Sequence, residues 1–187
     1  MQSPFYFIVT PVNNKRYNNT KKVGKVELIT STSQEDHKAS NRFCTVVEVP
    51  LGYKGEIVKG DTLVVHHNVF KYYYDMKGRE RSGRSFFKEN LFFVDFDQFF
   101  LYKHKGEWRS HSKYCFIKPI PLEDSIILKG GNEEPLLGTI RYGNVELEKL
   151  GVKVNDRVSF TPESEYEFYI DDEKLYRMFT NNITIKL

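Results

Sequence analysis

Four short blocks occur twice along this 187-residue chain, in the same order in each half. Repetition of this kind constrains a fold more than any single motif, because each copy must bury the same face in the same way. The first block is Phe7-Ile8-Val9-Thr10-Pro11, matched by Phe116-Ile117-Lys118-Pro119. Each is a short apolar run stopped by proline. The second is the β-branched run Phe43 to Pro50, matched by Leu136 to Gly143. The third is Ile57-Val58-Lys59-Gly60-Asp61-Thr62-Leu63-Val64-Val65, matched by Val152-Lys153-Val154-Asn155-Asp156-Arg157-Val158-Ser159-Phe160. Gly60 and Asn155 are residue types that accept positive φ, and an aspartate follows each as a turn former. The fourth is Leu91 to Val94 with Phe99 and Leu101, matched by Leu175 to Met178 with Ile183 and Ile185.

These blocks read as strands. The chain holds 15 Phe and 12 Tyr, and aromatic and β-branched residues favour a pleated, half-buried surface. Alanine, the best helix former, occurs only at Ala39. Between the third and fourth blocks come alternating trios, Phe70, Tyr72 and Tyr74 in one half and Tyr166, Phe168 and Ile170 in the other. Residues two apart share a strand face, so each trio is expected to line a core. Asp75 and Asp171-Asp172 then open hairpin turns.

The expected fold is all-β, as two tandem small barrels. The polar stretch Lys103 to Ser112 separates the copies and gives domains at 1–106 and 107–187. The first half carries an Arg- and Gly-rich insertion, Lys77 to Ser85. Units of this size are small but fold alone, and a barrel leaves no open edges.

The third and fourth blocks resemble the GroES-type co-chaperonins. That family carries a V-K-x-G-D-x-V-x-F turn and strand, which Val152 to Phe160 follow closely with Asn155 at the glycine. Glu165 to Met178 resembles its late hairpin, and Ile183 to Leu187 its closing strand. The resemblance covers nearly all of the second half, and the first half with insertions. It implies a ring-forming homo-oligomeric lid for a GroEL-type chaperonin, with no catalytic residues, no cofactor and no metal, which assists client proteins indirectly through an ATP-dependent partner. It also implies a grip through a mobile loop between the first and second strands, whose aliphatic triplet folds into a groove on the partner.

In the first half the corresponding segment runs from Lys21 to Arg42. Thr30 to Asn41 has almost no apolar side chain to offset the entropy of ordering. Before it stand Val26, Leu28 and Ile29, interrupted by Glu27. In the second half Ile126, Ile127 and Leu128 match the triplet within a shorter loop, Leu122 to Pro135. These six residues are the candidate chaperonin-binding set. A short buried strand over 126–128 is the plain alternative. Burying each aliphatic side chain is worth about 1.5–3 kcal/mol gross, and loop ordering offsets most of that. Only a ring presenting several loops at once would bind tightly.

Other chemistry is thin. Cys44 and Cys115 stand far apart and outside any C-x-x-C pair, so both are expected to be buried, reduced thiols. His66 and His67 are expected on opposite faces of one strand, and His104 and His111 lack partners at ligand spacing. No phosphate loop or catalytic triad order is evident. The formal charge of +3 is too balanced to imply a nucleic-acid or membrane-surface partner. Lys77 to Arg84 is nonetheless basic. It reads as a solvated hairpin tip or as an anion contact. Two rival functions therefore remain: a structural or assembly protein built on the same barrel, and a single-stranded nucleic-acid-binding barrel. The start, Met1-Gln2-Ser3-Pro4, shows no secretion signal, and no apolar run approaches membrane-spanning length, so the expectation is cytoplasmic.

Overall fold

The computed structural model describes residues 1–17, 20–23, 26–29, 39–122 and 133–187. The chain divides into two compact units, Met1–Glu107 and Trp108–Leu187. The regular structure of both is mainly antiparallel strand. Among the described residues, no helix is long and apolar enough to cross a membrane.

Unit 1 begins with β1 (Phe7–Pro11), followed by a small hairpin of β2 (Thr20–Val23) and β3 (Val26–Ile29). Then come β4 (Phe43–Glu48), β5 (Thr62–Val65), β6 (Tyr72–Tyr74), β7 (Glu80–Ser82), β8 (Phe86–Lys88), β9 (Leu91–Val94) and β10 (Phe99–His104). The chain passes into unit 2 along β11 (Glu107–Ser110). Unit 2 holds β12 (Tyr114–Pro121), β13 (Glu133–Tyr142), the one-turn helix α1 (Val145–Lys149), β14 (Arg157–Phe160), β15 (Tyr166–Ile170), β16 (Glu173–Phe179) and β17 (Ile183–Lys186).

The two main sheets have one topology. After β11, the first runs β10-β5-β4-β1-β9-β8, and the second runs β17-β14-β13-β12-β16-β15. Strand for strand these are the same order. Bulges fall at the same places too, at Val47 of β4 opposite the Ile8–Val9 step of β1 and at Arg141 of β13 opposite the Phe116–Ile117 step of β12. A bulge adds a residue and sharpens the twist, and here the added residues are Val47 and Arg141, so β4 and β13 bend alike. Among the described residues no pairing joins the two ends of either order, so in its hydrogen bonding each sheet runs from edge strand to edge strand.

The third block repeats atom by atom. Gly60 has φ 94° and Asn155 φ 70°. Gly60 N–H donates to Val46 O at 2.8 Å, and Asn155 N–H to Ile140 O at 2.8 Å. Asp61 Oδ2 accepts from Val58 N–H at 2.9 Å, and Asp156 Oδ2 from Lys153 N–H at 2.6 Å. An aspartate is needed there because its short carboxylate reaches back three residues and closes the turn. Behind the turn Ile57, Leu63 and Val65 are buried in one unit, and Val152, Val158 and Phe160 in the other. They pack with Val9 and Val46, and with Ile117 and Ile140, to make a separate core in each unit.

Three readings of the sequence are corrected. Cys44 lies opposite Leu63 and Gly138 opposite Val158, and Phe7 lies opposite Val94 and Cys115 opposite Met178, so the second and first blocks each match one residue out from an end-to-end alignment. Tyr72 to Tyr74 are not the counterpart of β15. They pair with Glu80 to Ser82 in an inserted hairpin, where Tyr73 and Tyr74 are exposed, and β8 takes the topological place of β15. Of the two trios only Phe70, Phe168 and Ile170 are buried, because an alternating pattern suits a protruding ribbon as well as a core strand. Lastly, β5 stops at Val65, so His66 and His67 lie in a turn with ring centroids 4.1 Å apart. A turn does not impose the two-faced alternation of a strand.

Candidate functional site

Each unit interrupts its sheet at the same point, between its first strand and the strand paired to it. In unit 1 this excursion leaves β1 and returns to β4. In unit 2 it leaves β12 and returns to β13. The candidate binding residues fall within these excursions. Val26, Leu28 and Ile29 lie on β3, where Val26 pairs with Val23, Leu28 with Lys21 and Ile29 with Thr20. Ile126, Ile127 and Leu128 lie outside the described residues, as does most of the polar run Thr30 to Asn41.

The root of the first excursion is tightly closed. Tyr17 and Ser40 form an isolated antiparallel bridge, and Asn41 N–H donates to Arg16 O at 3.0 Å. Asn41 is buried, and its amide donates to Val12 O at 3.0 Å and Lys15 O at 2.7 Å. Its Oδ1 accepts from Phe43 N–H at 3.0 Å. One side chain thus satisfies backbone groups on both arms of the excursion, which a buried asparagine must do to offset its own desolvation. Ser40 Oγ adds a donor to His67 O at 2.9 Å. The second excursion closes more simply, with Pro121 paired to Glu133 at the end of the β12–β13 ladder.

Arg16 ties this root to the inserted β6–β7 hairpin. Its guanidinium donates to Phe70 O at 2.9 Å, to Lys71 O at 3.0 Å and to Ser82 Oγ at 3.1 Å. It also stacks over the Tyr72 ring at 4.9 Å and the Phe92 ring at 5.2 Å. Burial draws its pKa below the ordinary value, with Glu80 opposing. Tyr17 packs edge-on against Tyr72 at 5.1 Å. The hairpin turn is set by Asp75, whose Oδ1 accepts from Lys77 N–H at 2.9 Å and Arg79 N–H at 3.0 Å. Its Oδ2 holds Arg79 and Arg81, and these bonds keep its carboxyl below the usual range.

Unit 2 carries a cleft of about 440 Å³ beside β13 and β14. Pro135, Leu136, Leu137 and Phe160 give it apolar surface, and Glu133, Glu134, Glu165, Lys174 and Tyr176 complete it. It opens where the β12–β13 register shifts between Pro119 and Pro121, and there Leu136 adopts φ 57°. Glu133 accepts from Lys174 at 2.8 Å and from the Tyr176 hydroxyl at 2.5 Å. Burial pushes the Glu133 carboxyl up, but these two bonds together bring it below its ordinary range.

The buried thiols Cys44 and Cys115 are unpaired with each other, and burial pushes both well above the ordinary thiol range. Among the described residues, no group of three or more His, Cys, Asp or Glu is placed to hold a metal. The Asn41 clamp and the Arg16 hub were not foreseen from the sequence, and their hydrogen-bond partners lie up to 66 residues away. No protein-family model matches the chain, and no curated protein matches it.

Proposed function

We propose that this chain is a co-chaperonin-like lid, with two GroES-like barrels in tandem, that grips a GroEL-type chaperonin through the excursion of each unit. One observation carries the reading. Both aliphatic triplets occupy the same topological place, between the first strand and its paired return strand, in two units of identical strand order. The reading makes Val26, Leu28, Ile29, Ile126, Ile127 and Leu128 binding residues with no catalytic part. Closed roots suit the task, because a stapled base fixes where each excursion leaves and rejoins its sheet. Weak single contacts, multiplied in a homo-oligomeric ring, allow both capture and release. A cytoplasmic setting belongs to the same reading.

The test is co-elution of the full chain with a GroEL-type chaperonin on a sizing column, with and without adenine nucleotide. Nucleotide-dependent co-elution is expected. Its loss on changing Leu28 and Ile29, or Ile126, Ile127 and Leu128, to serine identifies the working excursion. A folded chain that never co-elutes would overturn the reading.

A second reading draws on the inserted hairpin. Exposed Tyr73 and Tyr74 with Arg79 and Arg81 combine aromatic faces and positive charge, the elements of single-strand binding. A steep fall of oligonucleotide affinity with salt would favour it.

A further inference from the structure

We propose that the tip of the β6–β7 hairpin docks into the β13–β14 cleft of a second copy of this chain. The inference goes beyond the chaperonin reading and does not use either aliphatic triplet. Met76, at the tip, is wholly exposed. Tyr73 and Tyr74 behind it are more than half exposed. Methionine, tyrosine and arginine are the residues enriched at the centres of protein interfaces. A methionine side chain also adapts to an irregular apolar floor.

The two surfaces are opposite in sign. Lys71 to Ser85 holds five basic and two acidic residues. The cleft holds Glu133, Glu134 and Glu165 over the apolar side chains of Leu136, Leu137 and Phe160; Lys174 pairs with Glu133 and Arg157 with Glu134, so the net excess is one carboxylate, carried at Glu165. The same asymmetry runs through the whole chain, since unit 1 has an excess of basic residues and unit 2 an excess of acidic ones. Met76 would enter the floor while Lys77 meets the carboxylate rim. The tip is already rigid, held by Asp75 across its turn and by Arg16 at its base. A preorganised tip loses little freedom on docking. Each chain offers one tip and one cleft, on different units, so the contact is heterologous and adds copies head to tail.

The test is sedimentation velocity of the full chain, without chaperonin, over about 5 to 500 µM at low salt, a span that covers contacts of this small size. The wild type is expected to associate as concentration rises. Lys77→Glu and Glu165→Lys are each expected to weaken association about tenfold or more, and the double variant to restore it. A Met76→Cys chain mixed with a Glu165→Cys chain is expected to give the mixed disulfide in preference to either homodimer. A monomer at every concentration, or association indifferent to Lys77→Glu, would overturn the proposal. So would a monomer whose Lys77→Glu variant loses affinity for oligothymidylate, which would give the tip to nucleic acid. Because no chaperonin is present, failure here is distinct from failure of the lid reading.

Discussion

In unit 1 the turn aspartate Asp61 is met by His104, whose Nδ1 lies 2.8 Å from its Oδ2. In unit 2 the corresponding Asp156 is met by Lys186 at 2.6 Å, and this bond holds its carboxyl below the usual range. The aspartate is the same because the backbone demands it, and its partner differs because several side chains can answer a carboxylate. The same division runs through both units. Strand order, bulges and turn hydrogen bonds are shared. What projects from the sheets is not: unit 1 inserts β6 and β7, whereas unit 2 turns from β15 to β16 on Asp171 and Asp172 alone, both at positive φ. The two units share the scaffold and differ in what projects from it; the inserted hairpin tip lies on a projecting segment, whereas the cleft lies on the sheet itself.

The sharpest way to break this comparison is to remove one buried asparagine from each unit. Asn144 accepts from Leu147 N–H at 2.9 Å to cap α1, and donates to Tyr114 O at 2.9 Å and Thr180 Oγ1 at 2.8 Å. Asn144→Ala should cost unit 2 roughly 2–4 kcal/mol, and Asn41→Ala should cost unit 1 a similar amount. Thiol labelling reads each unit separately, because Cys44 is buried in the first and Cys115 in the second. Labelling of Cys115 alone should accelerate in Asn144→Ala, and of Cys44 alone in Asn41→Ala. Equal acceleration of both thiols would mean that the units unfold as one.

The corresponding positions Cys44 and Gly138 should respond in unequal ways. A Cβ at Gly138 would meet Ile117 Cγ2 at 2.3 Å and the Lys118 carbonyl at 2.8 Å. Gly138→Ala should therefore destabilise unit 2 by about 1–3 kcal/mol through overpacking. Cys44→Ala, which removes only a sulfur, should cost about 1–2 kcal/mol. Urea unfolding curves check both.

Acid should separate the units next. Lys186 lowers the pKa of Asp156, and Lys118 with Arg141 lowers that of Glu173. A carboxylate lowered on folding adds stability that is present above its unfolded pKa and is lost as pH falls through the folded one. In unit 1 the pKa of the Asp75 carboxyl is lowered, and it serves the inserted hairpin rather than the main sheet. Between pH 5 and pH 3, about the range where free carboxylates protonate, Cys115 should become labelled before Cys44.

The smallest effect lies in the turn itself. Asn155→Gly should be neutral or stabilise by a few tenths of a kcal/mol, because glycine adopts φ 70° without strain. Gly60→Ala should cost about 1 kcal/mol at φ 94°. Thermal melts of the two variants check the pair.

Much of this was legible in the sequence, and the reasons are local. The turn block aligned residue by residue because Gly60-Asp61 and Asn155-Asp156 encode their own geometry. Leu91 to Val94 and Leu175 to Met178 aligned because each is a short apolar run beside a corner. The β4–β13 and β1–β12 matches each slipped by one residue, since a run of apolar residues carries no turn residue that marks its register. The inserted hairpin was misread because Tyr72 and Tyr74 alternate as a core strand does. The root clamp was invisible, as Asn41 and Arg16 look like ordinary polar residues until distant backbone carbonyls converge on them.

Amide hydrogen exchange of the full chain, with and without a GroEL-type chaperonin and adenine nucleotide, tests the central claim most directly. The lid reading predicts new protection within residues 20–29, 122–132 or both, with the strands of the two main sheets unchanged. Exchange identical in both samples, or protection confined to the sheets, would contradict it.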